Sequence, residues 1–107
     1  TLAGLDPLLM KAKMKLIKKK ELEIDEEVAL RIHMTAILRA RENHYYQHKM
    51  GMLDDEEWKT MRKALGTLFI DNQLNLDIWN KSKSTFNPDF TKIVDEEIDM
   101  RKDTFKK

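Results

Sequence analysis

Turn-forming residues are scarce in this chain, and that scarcity limits its fold more than any other feature. Across 107 residues there are only three glycines and two prolines. Tight turns and hairpins draw on these residues because glycine reaches left-handed backbone and proline pre-sets φ. Ala, Leu, Met, Lys, Arg and Glu, which all favour helices, dominate instead. The expected fold is therefore all-α, a four- to five-helix bundle whose N-terminal part is a long helical hairpin or bent rod. The length suits a single helical domain with one modest core. With no cysteine, structural disulfides, thiolate metal sites and thiol chemistry are excluded.

Asp6-Pro7 reads as an N-cap followed by proline at the first helical position. Leu5, Leu9, Ala12 and Leu16 then follow at helical spacing, opposite Lys11, Lys15 and Lys18. Continued, that stripe would reach Lys20, Glu23 and Glu27, so it fails where the charge inverts. Residues 1–20 carry six lysines against one aspartate, and residues 21–27 carry five acids and no base. Lysines suit a helix C-terminus and acids an N-terminus through the helix dipole. The pattern predicts a joint near residues 21–25, with Asp25 as cap and Ile24 and Ala29 as a hydrophobic staple. One bent helix across residues 7–50 is the alternative.

The second helix is expected from about Glu26 to Met50. Leu30, Met34, Ile37 or Leu38, Arg41, Tyr45 and His48 share one face, and Val28, Ile32, Ala36 and Tyr46 share another. A helix apolar on two faces is usually central. Gly51 sits where a left-handed C-terminal residue belongs. In the run from Leu53 to Trp58, Asp54 caps, Glu57 reaches back and Leu53 staples against Trp58. The third helix buries Trp58, Met61, Leu65, Leu68 and Phe69 and ends near Asn72, with Gly66 inside it. A fourth, about residues 76–84, presents Leu76 and Trp79. Asn87-Pro88 opens a fifth with Phe90, Ile93 or Val94, and Ile98 inward, and fraying is expected after Met100.

Arg41-Glu42-Asn43, Tyr45, Gln47, Gly51, Leu53-Asp54, Trp58, Trp79 and Phe86-Asn87-Pro88-Asp89-Phe90 form a series of signposts. The series resembles a group of small, uncharacterised bacterial proteins in which a short N-terminal membrane helix precedes a helical soluble domain. The resemblance covers about residues 41–98. It implies a bacterial source and an upstream membrane anchor, and it carries no activity. This chain departs from the group in lacking that anchor. The expected location is cytoplasmic; because the sequence begins with Thr1 rather than Met, tethering through a missing upstream segment is the alternative.

Candidate sites are few. His44 and His48 have the i, i+4 spacing of paired metal ligands, but no HExxH pattern or third ligand at fixed spacing accompanies them. Arg41 lies on the stripe with Met34 and Tyr45, and a buried arginine needs a carboxylate. Asp71, Asp95 and Glu97 are candidate partners, with a ligand carboxylate or phosphate as the alternative. Together Arg41, Tyr45, His44 and His48 are the only nucleus for an enzyme, and the convergent partners that catalysis requires cannot be named. No cofactor and no small-molecule substrate is indicated.

The lysine block from Lys11 to Lys20 suits phosphate backbones or anionic lipid. It contains no arginine or aromatic residue to contact or stack on bases, which disfavours nucleic acid, while a membrane surface stays a candidate. Self-association uses more of the pattern. Two antiparallel copies crossing near Lys20 would set Lys11, Lys15 and Lys18 of one beside Glu23 and Glu27 of the other, around Leu5, Leu9, Ala12 and Leu16. Met10, Met14, Met50 and Met52 suit an adaptable partner groove, although methionine is more often simply core filler. The leading expectation is a non-enzymatic interaction module that forms a homodimer through its N-terminal helix.

Overall fold

The computed structural model describes residues 6–105, and Leu5 lies outside them. The described residues are all-α, with no strand among them. Five helices follow in order: α1 (Pro7–Ile17), α2 (Ile24–Lys49), α3 (Asp55–Thr67), α4 (Gln73–Ser82) and α5 (Pro88–Phe105), with a 3-10 turn at Lys83–Thr85 before α5. The chain divides into two compact units, one ending at Ala36 and one starting at Ile37, so the boundary falls inside α2.

In the N-terminal unit, Asp6 caps α1 by accepting the Leu8 backbone N–H at 3.0 Å. The bent-rod alternative is set aside, because α1 stops. Lys20 N–H donates to Lys15 O at 2.8 Å and Lys19 N–H to Leu16 O at 3.1 Å, the paired bonds of a Schellman motif. Lys19, with φ of 56°, occupies the left-handed position that usually falls to glycine. The start of α2 also differs from expectation. Glu26, not Asp25, closes it, by accepting the Glu23 backbone N–H at 2.7 Å from the third helical position. Ile24 is 81% exposed and staples nothing.

The C-terminal unit is built on aromatics. Trp79 is fully buried, within ring contact of Phe69, Phe86 and Phe90. Tyr45 joins this cluster through Trp58 and Phe90. The indole N–H of Trp79 donates to Asp95 Oδ1 at 2.8 Å, which satisfies the polar end of the largest core side chain. Three caps define the elements. Asp54 accepts Glu57 N–H at 2.8 Å, although the reciprocal bond from the Glu57 side chain is not made. Asn87 accepts Asp89 and Phe90 N–H. Asn72 caps α4 through Asn75 N–H rather than ending α3, which stops at Thr67 and turns through Asp71 at φ 50°. A second Schellman motif ends α2, with Gly51 at φ 79°.

Helices α3 and α5 approach closely, and Gly66 permits it. A Cβ there would sit 3.1 Å from Arg101 Nε and 3.3 Å from the Glu97 carbonyl. Beside it, buried Glu97 accepts Arg62 Nε at 2.7 Å, while Arg101 lies 3.7 Å away. Phe90, Val94 and Ile98 form the inner stripe of α5.

Candidate functional site

The N-terminal unit is a helical hairpin. Contacts run in opposite senses along α1 and the first half of α2: Lys15 Nζ meets Glu26 at 2.7 Å, and Lys13 Nζ lies 3.2 Å from His33 Nε2. Leu9 and Ala12 are buried and Leu16 is half-buried. These are the residues expected to form a seam with a second copy. The structure turns that stripe inward, and its own chain covers it. Leu30 and Met34 of the same unit are buried as well. Lys15 is likewise committed within the chain rather than offered to a partner.

One buried ion pair fixes this hairpin. Glu26 is 1% exposed yet charged. The hydrogen bond from Lys15, then the Glu23 N–H, hold its carboxyl below the ordinary value, against the opposing effect of burial. The same bond raises the Lys15 ammonium. The second pair behaves differently: burial first, then the Lys13 charge, push the His33 imidazole down. His33 is therefore neutral at pH 7, and its Nε2 accepts from the Lys13 ammonium.

Outside the closed seam, apolar surface is left over. An open groove of about 650 Å³ runs along α2, walled by Leu8, Leu9, Val28, Ala29, Ile32 and Ala36. Its polar wall residues are Asp6, Asp25 and His33. Ile32 is 66% exposed, and Val28 and Ile24 continue its stripe one and two turns back. The second apolar face expected to make α2 central is thus solvent-facing at Val28, Ile32, Ala36 and Tyr46. On α1 a separate exposed stripe, Met10, Met14 and Ile17, runs along the flank away from Leu8. Lys11, Lys18, Lys19, Lys20, Glu21, Glu23 and Glu27 are exposed and make no ion pair among the described residues. The sequence signal for this surface was present in the i, i+4, i+8 spacing of Ile24, Val28 and Ile32.

The other candidates disperse. Arg41 is half-buried, and its Nε is buried without a partner. None of the three expected carboxylates reaches it. Asp95 serves Trp79 and Lys83, Glu97 serves Arg62 and Arg101, and Asp71 is exposed in its turn. A fully buried arginine would need an acid; a half-buried one keeps part of its guanidinium in water. Tyr45 is core. His48 stacks on Trp58 at 5.4 Å and pairs with Asp55 at 2.8 Å, whereas the buried Nδ1 of His44 has no partner. Among the described residues no three metal-binding side chains converge.

Two signpost runs do meet, and they meet as structure. Glu42 accepts Asn87 N–H at 2.7 Å, and its neighbour Arg39 lies 3.8 Å above the Phe86 ring while bonding Thr85. This clasp ties the second half of α2 to the start of α5. No helix among the described residues is long and apolar enough to cross a membrane. Comparison with family models, curated proteins and solved structures finds no significant match.

Proposed function

We propose that this protein is a non-enzymatic helical interaction module that forms a homodimer through its N-terminal hairpin. The carrying observation is the exposed stripe Ile24–Val28–Ile32, on a hairpin whose own seam is already closed by Leu9, Ala12, Leu30 and Met34. Contiguous apolar surface of this kind usually marks an interaction site. Charge complementarity names the occupant. Apart from the Lys15–Glu26 pair, the exposed lysines and acids of its two adjacent charge blocks make no ion pair among the described residues, so a second copy offers both complements at once. Exposed ion pairs contribute only about 0–1 kcal/mol each, so apolar burial drives the association and charge sets its direction.

The test is the mass of the protein in solution. Val28→Gln with Ile32→Gln removes the stripe while placing better helix formers in α2, so helical content should be kept. Light scattering should give a dimer for the unaltered chain and a monomer for the double variant. An unaltered chain that stays monomeric into the millimolar range would end the proposal.

A second reading has one specific observation behind it. Met10, Met14 and Ile17 are exposed beside Lys11 and Lys18–Lys20, an arrangement that suits peripheral binding to anionic lipid. The bacterial source, the cytoplasmic location and an upstream tether rest on the resemblance of residues 41–98 and belong to this same proposed reading.

A further inference from the structure

The groove and the outer face of α1 have matching dimensions and opposite charge. Asp25 opens α2 and Asp6 precedes α1, and the two helices run in opposite senses, so the two carboxylates mark the groove's two ends. Residues 25–36 of α2 span roughly 16 Å at 1.5 Å per residue. Between those ends the exposed floor is Val28 and Ile32. The outer face of α1 carries Met10, Met14 and Ile17 over roughly 10 Å, flanked by Lys11 and Lys18. Extended lysine side chains add several ångströms at each end, so the face fills the groove lengthwise with an ammonium within reach of each carboxylate. Methionine suits an open groove because its unbranched side chain adapts to irregular surface.

Resting on the dimer proposed above, we infer that the two copies mate reciprocally: the Met10–Met14–Ile17 face of each α1 lies in the Asp6–Val28–Ile32–Asp25 groove of the other. The arrangement is isologous, so it closes at two copies and leaves neither groove open. A lipid surface is a poorer occupant for α1. Its face has no tryptophan or phenylalanine to anchor at a headgroup layer, and Glu21, Glu23, Asp25 and Glu27 next to it are repelled by anionic lipid.

A charge exchange tests the mating. One variant carries Lys11→Glu and Lys18→Glu; the other carries Asp6→Asn, which keeps a competent cap, and Asp25→Lys. Alone, the lysine variant sets like charges against each other at both contacts, and the aspartate variant sets them at the Asp25 contact while removing the pair at Asp6, so dimerisation of each should weaken at least tenfold by analytical ultracentrifugation. Mixed in equal amounts they set unlike charges together at every contact except the one at the substituted position 6, and a heterodimer should return. Two variants that both remain dimeric at unaltered strength overturn this mating while leaving the dimer proposal standing. Two weakened variants that fail to recombine also overturn it. An unaltered chain that is monomeric overturns both, and if that monomer sediments with phosphatidylserine vesicles at low salt, the lysine face belongs to a membrane.

Discussion

The two units solve the same packing problem with different materials. From Ile37 onward, the core is a continuous set of rings, Tyr45, Trp58, Phe69, Trp79, Phe86 and Phe90, closed by the hydrogen bond from the indole of Trp79 to Asp95 and by caps at three helix starts. Before that, the core is a narrow seam of Leu9, Ala12, Leu30 and Met34, locked by one buried ion pair. Each aromatic side chain buries some 150–250 Å², so few are needed to close a unit. A seam of leucine, methionine and alanine covers less and leaves Ile17, Ile24 and Ile32 two-thirds or more exposed. Surplus apolar surface therefore gathers where the core is thinnest, and there the proposed interaction surface lies.

The same contrast appears at the helix stops. Lys19 and Gly51 hold equivalent positions in two Schellman motifs, both left-handed. At Gly51 the conformation is free of steric cost, while at Lys19 it costs about 1 kcal/mol or more. Of the two Schellman stops, the one in the N-terminal unit is thus the strained one. Its side chain adds to the lysine block, which is consistent with surface charge being kept at the expense of backbone comfort.

The largest expected effect challenges the aromatic side of the comparison. Trp79→Ala removes the central ring and should destabilise the protein by about 4 kcal/mol, against about 2–3 kcal/mol for Leu9→Ala in the seam. Urea titration of each variant gives both values. Equal losses would mean that the aromatic cluster is no heavier an anchor than the aliphatic seam.

How far the sequence revealed these features follows from what kind of signal each one leaves. Three of the four caps that act through their own side chain were legible: Asp6, Asp54 and Asn87 each accept backbone N–H groups at a helix start, as expected. The start of α2 was not, because Glu23 carries no capping side chain in that role and Asp25 is a persuasive decoy two residues on. Asn72 was misassigned for a related reason, since α3 ends in a non-glycine turn at Asp71 that leaves no compositional mark. Helical spacing put Leu9, Ala12 and Leu16 on one face, but spacing does not say what covers a face. The expectation of a carboxylate for Arg41 assumed full burial, and stripe membership alone does not measure depth. Val28 and Ile32 form a visible apolar face, but pattern alone points such a face to the core, and Ile24 reads as a staple rather than as its continuation.

A smaller effect sharpens the comparison of the two stops. Lys19→Gly relieves the left-handed strain and should stabilise the protein by about 0.5–1 kcal/mol, whereas Gly51→Ala should cost about 1 kcal/mol. No atom lies within 4 Å of a Cβ built at Gly51, so that loss would be purely conformational. Opposite signs in thermal melts support the equivalence of the two motifs. The same sign in both would show that Lys19 is held by something other than its backbone.

The smallest shift is a pH dependence confined to the hairpin. His33 titrates below its ordinary value of 6.5 in the folded state because burial, then Lys13, disfavour its charge. As pH falls, the unfolded chain therefore takes up the proton first. Stability is undiminished above pH 6.5 and declines as pH falls from there through the lower folded value. Glu26 moves in the same sense in a separate window: its stabilisation is present above 4.5 and is lost as pH falls through its depressed folded value. Between pH 7 and 5, amide protection factors, taken relative to the intrinsic exchange rate at each pH, should therefore fall first in α1 and around His33, while amides around Trp79 keep their protection. His33→Gln should abolish that first step and leave the acid limb below 4.5 in place. If both limbs persist in the variant, the neutral imidazole beside Lys13 is not what sets the upper one.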